Sequence, residues 1–201
     1  MIEVDTIIQG DCLEVMKGIE GNSVDLVLTD PPYPDYHIDL FNYKEGLLEP
    51  LNKLDCKQLI FWSAKSEFPL DYSAIHIWNK QVGCGSQYER IFERNGQFNY
   101  KVYSSHFINS PVASLMCRDI FTGHKSQKPL KLIIELIKEY TKEGDLILDP
   151  FLGSGTTAVA CIKTNRHYIG IELLQQYVDI SNKRIDAENA QLKLDFSLAG
   201  G

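Results

Sequence analysis

The C-terminal third of the chain carries the pattern that most restricts its fold. Leu146-Ile147-Leu148, between two acidic residues, predicts a buried strand, and a glycine-containing loop then leads into a helix over 156–163. A second short strand over 167–171 ends beside Glu172. A strand, a helix and a strand in this order form the βαβ unit of a parallel sheet, so the pattern predicts an α/β fold.

The same alternation recurs near the N-terminal end, which extends this prediction to most of the chain. Apolar strand patterns and amphipathic helical patterns flank a less regular middle region, and Pro129 is expected at the first position of its helix. We therefore expect a Rossmann-like, mostly parallel sheet with helices on both faces. The predicted strands cover 4–8, 24–30, 59–62, 145–149 and 167–171, and the predicted helices cover 12–18, 43–54, 129–140, 156–163 and 174 to about 192.

The loop that starts at Asp149 indicates the class of cofactor. Gly153 and Gly155 allow a ligand to approach the backbone and the N–H groups at the start of the next helix. The loop lacks both the triple-glycine dinucleotide fingerprint and the lysine of a phosphate-binding loop. Glu172 ends the following strand, a position at which an acid binds ribose hydroxyls in dinucleotide-binding folds. Considered without the glycine loop, Glu172 fits an ordinary acid at the start of a helix equally well. Together these features predict an adenosine-type cofactor without a pyrophosphate.

Asp30-Pro31-Pro32-Tyr33 is the second informative motif, and it follows an apolar strand. The two prolines fix the backbone and donate no N–H, so the carbonyls of this turn stay available as acceptors. Asp30 adds a carboxylate and Tyr33 an aromatic face. These groups suit a flat ring that bears an amino group, and the alternative is a tight turn with an acid at the start of a helix.

The overall composition is that of a globular domain and argues against several classes of protein. No apolar run approaches the roughly 18 residues of a membrane-spanning helix, and the acidic start does not resemble a signal peptide. The five cysteines are scattered without a CxxC pair, so we expect neither disulfides nor zinc. This pattern predicts a cytoplasmic protein without a metal site.

Residues 76–128 differ in charge from the rest of the chain. The net charge of −7 disfavours bulk attraction to nucleic acid, yet this region carries seven basic, three acidic and eight aromatic residues. Basic residues interleaved with aromatic ones suit phosphates and unstacked bases, and a small β-rich unit with its own core is an equally open interpretation. The candidates for phosphate contacts are Lys80, Arg90, Arg94, Lys101 and Arg118.

Three motifs together resemble the amino-methyltransferases of DNA. They are Asp30-Pro31-Pro32-Tyr33, Gln127-Lys128-Pro129 and the glycine loop from Asp149, in the chain order of the β group of these enzymes. The resemblance implies an S-adenosylmethionine-dependent methyltransferase fold whose unmatched middle is the target-recognition segment. It divides the chain into a catalytic half over 1–63, an inserted target-recognition segment over 64–122 and a cofactor-binding half over 123–201.

The resemblance also implies roles for individual residues. The tetrad Asp30, Pro31, Pro32 and Tyr33 is catalytic, Glu172 binds the ribose and Asp11 lies near the adenine of the cofactor. The residues expected at the cofactor are Asp11, Asp30, Lys128, Pro129, Asp149, Phe151, Gly153, Ser154, Gly155, Thr156 and Glu172.

The implied reaction is direct methyl transfer from S-adenosylmethionine to the N6 amino group of an adenine flipped out of duplex DNA. Tyr33 stacks on the purine in this hypothesis, while Asp30 and the Pro31 carbonyl accept the amino hydrogens. An aspartate at the head of the tetrad resembles the adenine-N6 enzymes, since cytosine-N4 enzymes usually carry serine there. The open alternatives are cytosine-N4 methylation, a catalytically silent cofactor-binding regulatory subunit, and methylation of RNA or a protein amide. The short recognition segment is also compatible with a homodimer.

Overall fold

The structure, a computed structural model, describes residues 2–35, 44–81, 87–105, 122–123 and 126–199. Within them the chain forms eight strands and four α-helices. The strands are β1 (Thr6–Gln9), β2 (Leu26–Thr29), β3 (Lys57–Trp62), β4 (Ala74–Asn79), β5 (Tyr88–Arg94), β6 (Val102–Ser104), β7 (Leu146–Asp149) and β8 (His167–Glu172). The helices are α1 (Cys12–Val15), α2 (Leu130–Tyr140), α3 (Thr156–Lys163) and α4 (Gln175–Ala199).

The described strands form one sheet in the order β1-β8-β7-β2-β3-β5-β4-β6. All of them run in the same direction except β5, which is antiparallel to its neighbours β3 and β4. Parallel strands end at the same side of a sheet, so the last residues of β2, β7 and β8 share one side, here called the carboxyl edge. This topology confirms the predicted α/β fold with a mostly parallel sheet.

Apolar layers cover both faces of the sheet, as the alternation along β2 shows. Leu26 and Leu28 pack in one layer with residues of α2 and α3, whereas Val27 packs in the other with residues of α1 and of segment 44–54. All three side chains are fully buried, and each such burial contributes about 1.5–3 kcal/mol to folding. The strand is therefore held from both sides, which gives the tetrad that follows it a rigid base.

The helix predicted over 43–54 is wrong in type, although its apolar face is correct. From residue 44 onward the structure has turns and a short 3₁₀ helix over Glu49–Lys53, while Leu47 and Leu51 are buried with their leucine neighbours. Gly46 has a φ of +80°, and Pro50 has no N–H and crowds the carbonyl four residues earlier. These two residues prevent a regular α-helix and leave a compact apolar turn.

Three other helix boundaries differ from the prediction. The helix predicted over 12–18 is α-helical only to Val15, and a 3₁₀ helix over Met16–Gly18 continues it. Pro129 is the residue before α2 rather than its first helical residue, since its ψ of 129° is extended. Helix α4 continues to Ala199, past the predicted end near residue 192. The predicted helix over 156–163 agrees with α3.

The described part of the middle segment belongs to the common sheet. Strands β4, β5 and β6 extend the sheet beyond β3, and Trp78 and Ile91 share an apolar cluster with Leu26. The interpretation of this region as a small unit with its own core is therefore wrong. The division at 1–63, 64–122 and 123–201 and the recognition role of the middle stay predictions, and residues 106–121 lie outside the described chain.

None of the helices in the described ranges is both long and apolar enough to cross a membrane.

Candidate active site

The two motif-bearing strands end side by side at the carboxyl edge. β2 and β7 are direct neighbours in the sheet, with Val27 opposite Leu148. The Thr29 hydroxyl donates a 2.7 Å hydrogen bond to Oδ1 of Asp149, and both side chains are buried. This bond links the residue before Asp30 to the first residue of the glycine loop, so two segments 120 positions apart share one site.

A cleft of about 290 Å³ opens between these strand ends. Most of the predicted site residues line it, from both the catalytic and the cofactor sets, whereas Pro129 and Gly155 do not. The cleft is apolar along much of its wall and has a few converging polar groups, which is typical of small-molecule sites. The predicted residues that line it are Asp11, Asp30, Pro31, Pro32, Tyr33, Lys128, Asp149, Phe151, Gly153, Ser154, Thr156 and Glu172.

Asp149 anchors the glycine loop from beneath. Its second oxygen accepts a 2.7 Å hydrogen bond from the Thr157 hydroxyl, and the Phe151 N–H donates to the first at 3.1 Å. Burial raises the pKa of Asp149 to about 6, and these hydrogen bonds together with the Thr29 hydroxyl oppose the rise. These three bonds occupy both carboxylate oxygens, so Asp149 holds the glycine loop in place.

Glu172 closes the other side of the loop. Its carboxylate accepts hydrogen bonds from the Gly153 N–H at 2.9 Å and from the Leu174 N–H at 2.8 Å. Burial raises the pKa of Glu172, and the backbone N–H groups oppose that rise. The predicted ribose acid therefore lies within hydrogen-bond distance of the predicted cofactor loop.

Asp11 reaches the same cleft from the end of β1. Its carboxylate caps α1 by accepting a 2.9 Å hydrogen bond from the Leu13 N–H. The N–H of Gly10 donates to the carbonyl of Glu172 at 3.0 Å, which ties this turn to the end of β8. Asp11, Glu172 and the glycine loop thus form one continuous wall.

Asp30 lies opposite that wall and is held by two donors. The Tyr33 hydroxyl donates to Oδ1, and the Lys128 ammonium donates to Oδ2. Burial raises the pKa of Asp30, and Lys128 opposes the rise. Burial lowers the pKa of Lys128, but Asp30 and Glu89 outweigh this and raise it above its usual range, so the lysine stays charged.

The comparisons with known proteins agree with this geometry. A family model described as DNA methylase matches residues 55–183, more than half of the chain. The chain belongs to the DNA methylase family. Type II methyltransferase M2.DpnII of Streptococcus pneumoniae is 50% identical over 151 residues, covering 70% of this chain and 48% of that protein. DNA adenine methyltransferase YhdJ of Escherichia coli (strain K12) is 29% identical, covering 92% and 83%.

Solved structures share the fold of this DNA methylase. The Thermus thermophilus protein TTHA0409, solved as a complex with S-adenosyl-L-methionine, has a TM-score of 0.61 and 24% identity, covering 90% of this chain and 95% of that one. The cytosine-N4-specific PvuII DNA methyltransferase has a TM-score of 0.64 and 17% identity, covering 89% and 85%. At these identities the likeness concerns the fold, and the sequence relatives carry the assignment to the N6/N4 type of DNA methyltransferase.

Tyr33 has contacts in the methylase that the sequence did not suggest. Its ring is only 5% exposed and packs edge-on against Trp62, with centroids 5.3 Å apart and planes at 61°. Its hydroxyl orients Asp30. Stacking of Tyr33 on a target base stays a prediction. The structure gives Tyr33 a second role, which is to hold the Asp30 carboxylate in place.

The predicted phosphate contacts are not supported by the positions of the described residues. Lys80 is 8% exposed and pairs with Glu89 at 2.5 Å, so it offers a phosphate almost no surface. Arg90 donates to the carbonyls of Ser63 and Ser66 and so fixes the loop after β3. Both side chains thus have structural contacts that the sequence did not suggest, and a phosphate contact by either one stays a prediction.

Two further phosphate candidates lie away from the carboxyl edge. Arg94 is paired in register with Gln58 at the start of β3, on the opposite side of the sheet, and bonds the Gln58 side chain at 2.7 Å. Lys101 pairs with Glu139 near the end of α2. Neither side chain lies at the carboxyl edge, and a phosphate contact by either one stays a prediction. Arg118 lies outside the described residues.

Helix α4 supplies two contacts that the sequence reasoning missed. The Ser181 hydroxyl donates to the Gly153 carbonyl at 2.9 Å, and the buried Arg184 donates to the Ser154 carbonyl at 2.6 Å and to the Thr156 hydroxyl at 3.0 Å. A spacing of three residues places serine and arginine on one helix face. Val178 and Ile185 are buried on the same side of the helix. A charged residue next to this apolar stripe, Arg184, was the sequence signal that could have indicated a buried contact.

Proposed function

We propose that this DNA methylase transfers a methyl group from S-adenosylmethionine to the N6 amino group of an adenine in DNA. The observation that carries the proposal is the position of Asp30 beside the glycine loop, fixed by the hydrogen bond between Thr29 and Asp149. An acceptor for an amino group and a cradle for an adenosine-type cofactor thereby face one cleft.

The residues of the cleft fit S-adenosylmethionine, the methyl donor of the N6/N4 DNA methyltransferases. Gly153 lines the cleft with a positive φ of 56°, and without a side chain it leaves the loop backbone open to a ligand. Glu172 and Asp11 both line the cleft. In this proposal Glu172 binds the ribose hydroxyls and Asp11 is the residue near the adenine. The bound cofactor supplies an electrophilic methyl group on a sulfonium sulfur.

The chain's own groups act on the amino nitrogen of the target. Asp30 and the carbonyl of the buried Pro31 accept its two hydrogens, which localises the nitrogen lone pair toward the methyl carbon. The nitrogen forms its bond to that carbon as the carbon–sulfur bond breaks, and its surplus proton then passes to Asp30 or to water. Holding the amino nitrogen in line with the methyl carbon lowers the activation barrier by several kcal/mol, and by on the order of 7–11 kcal/mol in the best cases.

Adenine is favoured over cytosine by the residue that heads the tetrad. Asp30 is an aspartate, as in the resemblance to adenine-N6 enzymes, and YhdJ, at 29% identity, is named a DNA adenine methyltransferase. Cytosine-N4 methylation is the second candidate, because the PvuII enzyme has the same fold. The proposal includes a target base flipped out of the duplex, assembly as a homodimer and a cytoplasmic location.

The test is methyl transfer from labelled S-adenosylmethionine to duplex DNA, single-stranded DNA and RNA, followed by digestion and mass spectrometry of the nucleosides. We expect N6-methyladenine from duplex DNA, and Asp30→Ala as the control should bind cofactor without transferring methyl. N4-methylcytosine would select the second candidate, and labelled RNA without labelled DNA would contradict a DNA substrate.

A further inference from the structure

A buried chain of four charged side chains runs from the tetrad into the sheet. Lys80 lies 2.5 Å from Oε1 of Glu89, Lys128 lies 3.2 Å from Oε2 of Glu89, and Lys128 also contacts Asp30. The side chains are between 7% and 20% exposed, and their formal charges sum to zero. Buried charges of this kind persist only when each has a partner, so the four groups depend on one another.

Lys128 lies between two carboxylates and is confined by aromatic rings. Its ammonium lies 5.0 Å from the centroid of Phe61 and 5.8 Å from that of Trp78. It hydrogen-bonds to Asp30, whereas Oε2 of Glu89 is buried and has no hydrogen bond among the residues that the structure describes. The lysine therefore already has an ion-pair contact with a second carboxylate oxygen 3.2 Å away, which a small shift of the ammonium would shorten.

The reaction proposed for Asp30 requires a second acceptor for Lys128, and Oε2 of Glu89 can serve as one. Positive charge develops on the target nitrogen during methyl transfer, and Asp30 must face that charge. An ammonium held on the same carboxylate opposes it, because like charges repel. Moving Lys128 off Asp30 without a replacement would leave an unpaired buried charge, which is strongly unfavourable.

We propose that Glu89 is a positioning residue that receives Lys128 when Asp30 engages the target amino group. This rests on the proposed function of Asp30. Lys80 holds the other oxygen of Glu89 and so keeps its carboxylate turned toward Lys128. A shift of the ammonium toward Oε2 of Glu89 transfers the ion pair without exposing any charge to an apolar environment.

The test compares Glu89→Gln with Glu93→Gln, a matched control. Glu93 is also a buried glutamate on β5, but it pairs with His76 and lies toward the opposite edge of the sheet. We expect Glu89→Gln to lower kcat by at least about tenfold while the KM for S-adenosylmethionine changes little. Glu93→Gln should retain kcat wherever it folds. Equal losses in both folded variants would overturn the proposal.

A second measurement does not depend on turnover. The groups that face Asp30 are Tyr33 on its own loop, Lys128 before α2, Glu89 on β5 and Asp149 on β7. Without the Glu89 carboxylate, Lys128 pairs with Asp30 alone, so the pKa of Asp30 should fall. Carboxyl ¹³C NMR, with Asp30 assigned through Asp30→Asn, should show this fall in Glu89→Gln, and the acidic limb of the pH–rate profile should move the same way.

The outcomes separate this inference from the proposed function. Wild-type protein that methylates no DNA would contradict the function itself. Active wild type with an inactive Asp30→Asn, together with a Glu89→Gln variant of unchanged kcat and unchanged Asp30 pKa, would overturn only the role of Glu89. If Glu89→Gln does not fold, Glu89→Asp keeps the charge at a shorter reach and should still lower kcat; full activity in that variant would contradict the proposal.

Discussion

Gly155 offers the sharpest test of how the cofactor loop is built. Its φ of +80° lies in the left-handed region, where a residue with a side chain costs about 1–2 kcal/mol. An added Cβ would also lie 2.8 Å from both Cβ and Oγ of Ser181 and 3.0 Å from its Cα. Overpacking of this kind costs about 1–3 kcal/mol, so Gly155→Ala should destabilise the protein by about 2–5 kcal/mol in total.

Gly144 provides the matched control for the backbone contribution. Its φ is +84°, close to that of Gly155, yet nothing lies within 4 Å of an added Cβ. Gly144→Ala should therefore cost only the left-handed penalty of about 1–2 kcal/mol. The difference between the two variants in urea unfolding isolates the contact with Ser181, and Ser181→Gly should recover part of it in the Gly155→Ala background.

The same pair of variants tests whether the loop holds the cofactor. Gly155→Ala displaces the loop next to Ser154 and should weaken S-adenosylmethionine binding by at least about tenfold in calorimetry, a loss of about 1.4 kcal/mol. Gly144→Ala, at the turn before β7, should leave the affinity within about twofold. Equal stabilities and equal affinities in the two variants would refute the assignment of the loop.

Three further predictions concern the polar groups of the site. Asp30→Ala should retain S-adenosylmethionine affinity in calorimetry but lose methyl transfer to DNA; near-normal turnover would exclude Asp30 as the acceptor. Thr29→Val removes a donor to the buried Asp149 and should cost about 1–3 kcal/mol in urea unfolding. Because burial raises the pKa of Asp149 to about 6, the folded state binds this proton more tightly than the unfolded state, and its contribution to stability falls as the pH rises from about 4 to about 6. Asp149→Asn should lack this fall of about 2 kcal/mol, measured as the wild-type difference between pH 4 and pH 6.5.

The sheet and the cofactor loop could be predicted from the sequence because their signals are local. The apolar run Leu146-Ile147-Leu148, the glycines after it and the acid at Glu172 lie within a single βαβ unit. The helix over 156–163 was predicted with its observed bounds. Segment 44–54 was misjudged because its leucines have helical spacing, whereas Gly46 and Pro50 decide the backbone there.

The charged residues of the middle could not be assigned from composition. A basic side chain has the same sequence signature whether it contacts a phosphate or a buried carboxylate, and only the fold distinguishes the two. Lys80 shows this, since its partner Glu89 lies on strand β5. Arg184 shows it for the glycine loop, where it donates to the Ser154 carbonyl. Such pairs arise from strand register and helix docking, which local patterns do not specify.

The site depends on which strands are neighbours rather than on the order of the motifs along the chain. β2 and β7 are separated by more than a hundred residues, yet the Thr29–Asp149 hydrogen bond joins their ends. The Lys128–Asp30 ion pair joins the end of β2 to the segment before α2. Every parallel strand of the sheet delivers its last residue to the same edge, so a motif placed after any of these neighbours reaches the same cleft. The chain between them must supply a partner for each buried charge. Lys80, directly after β4, and Glu89 on β5 form such a pair. The middle of this methylase therefore contributes to the electrostatics of the active site through its strands, whatever its remaining residues contribute to the choice of target.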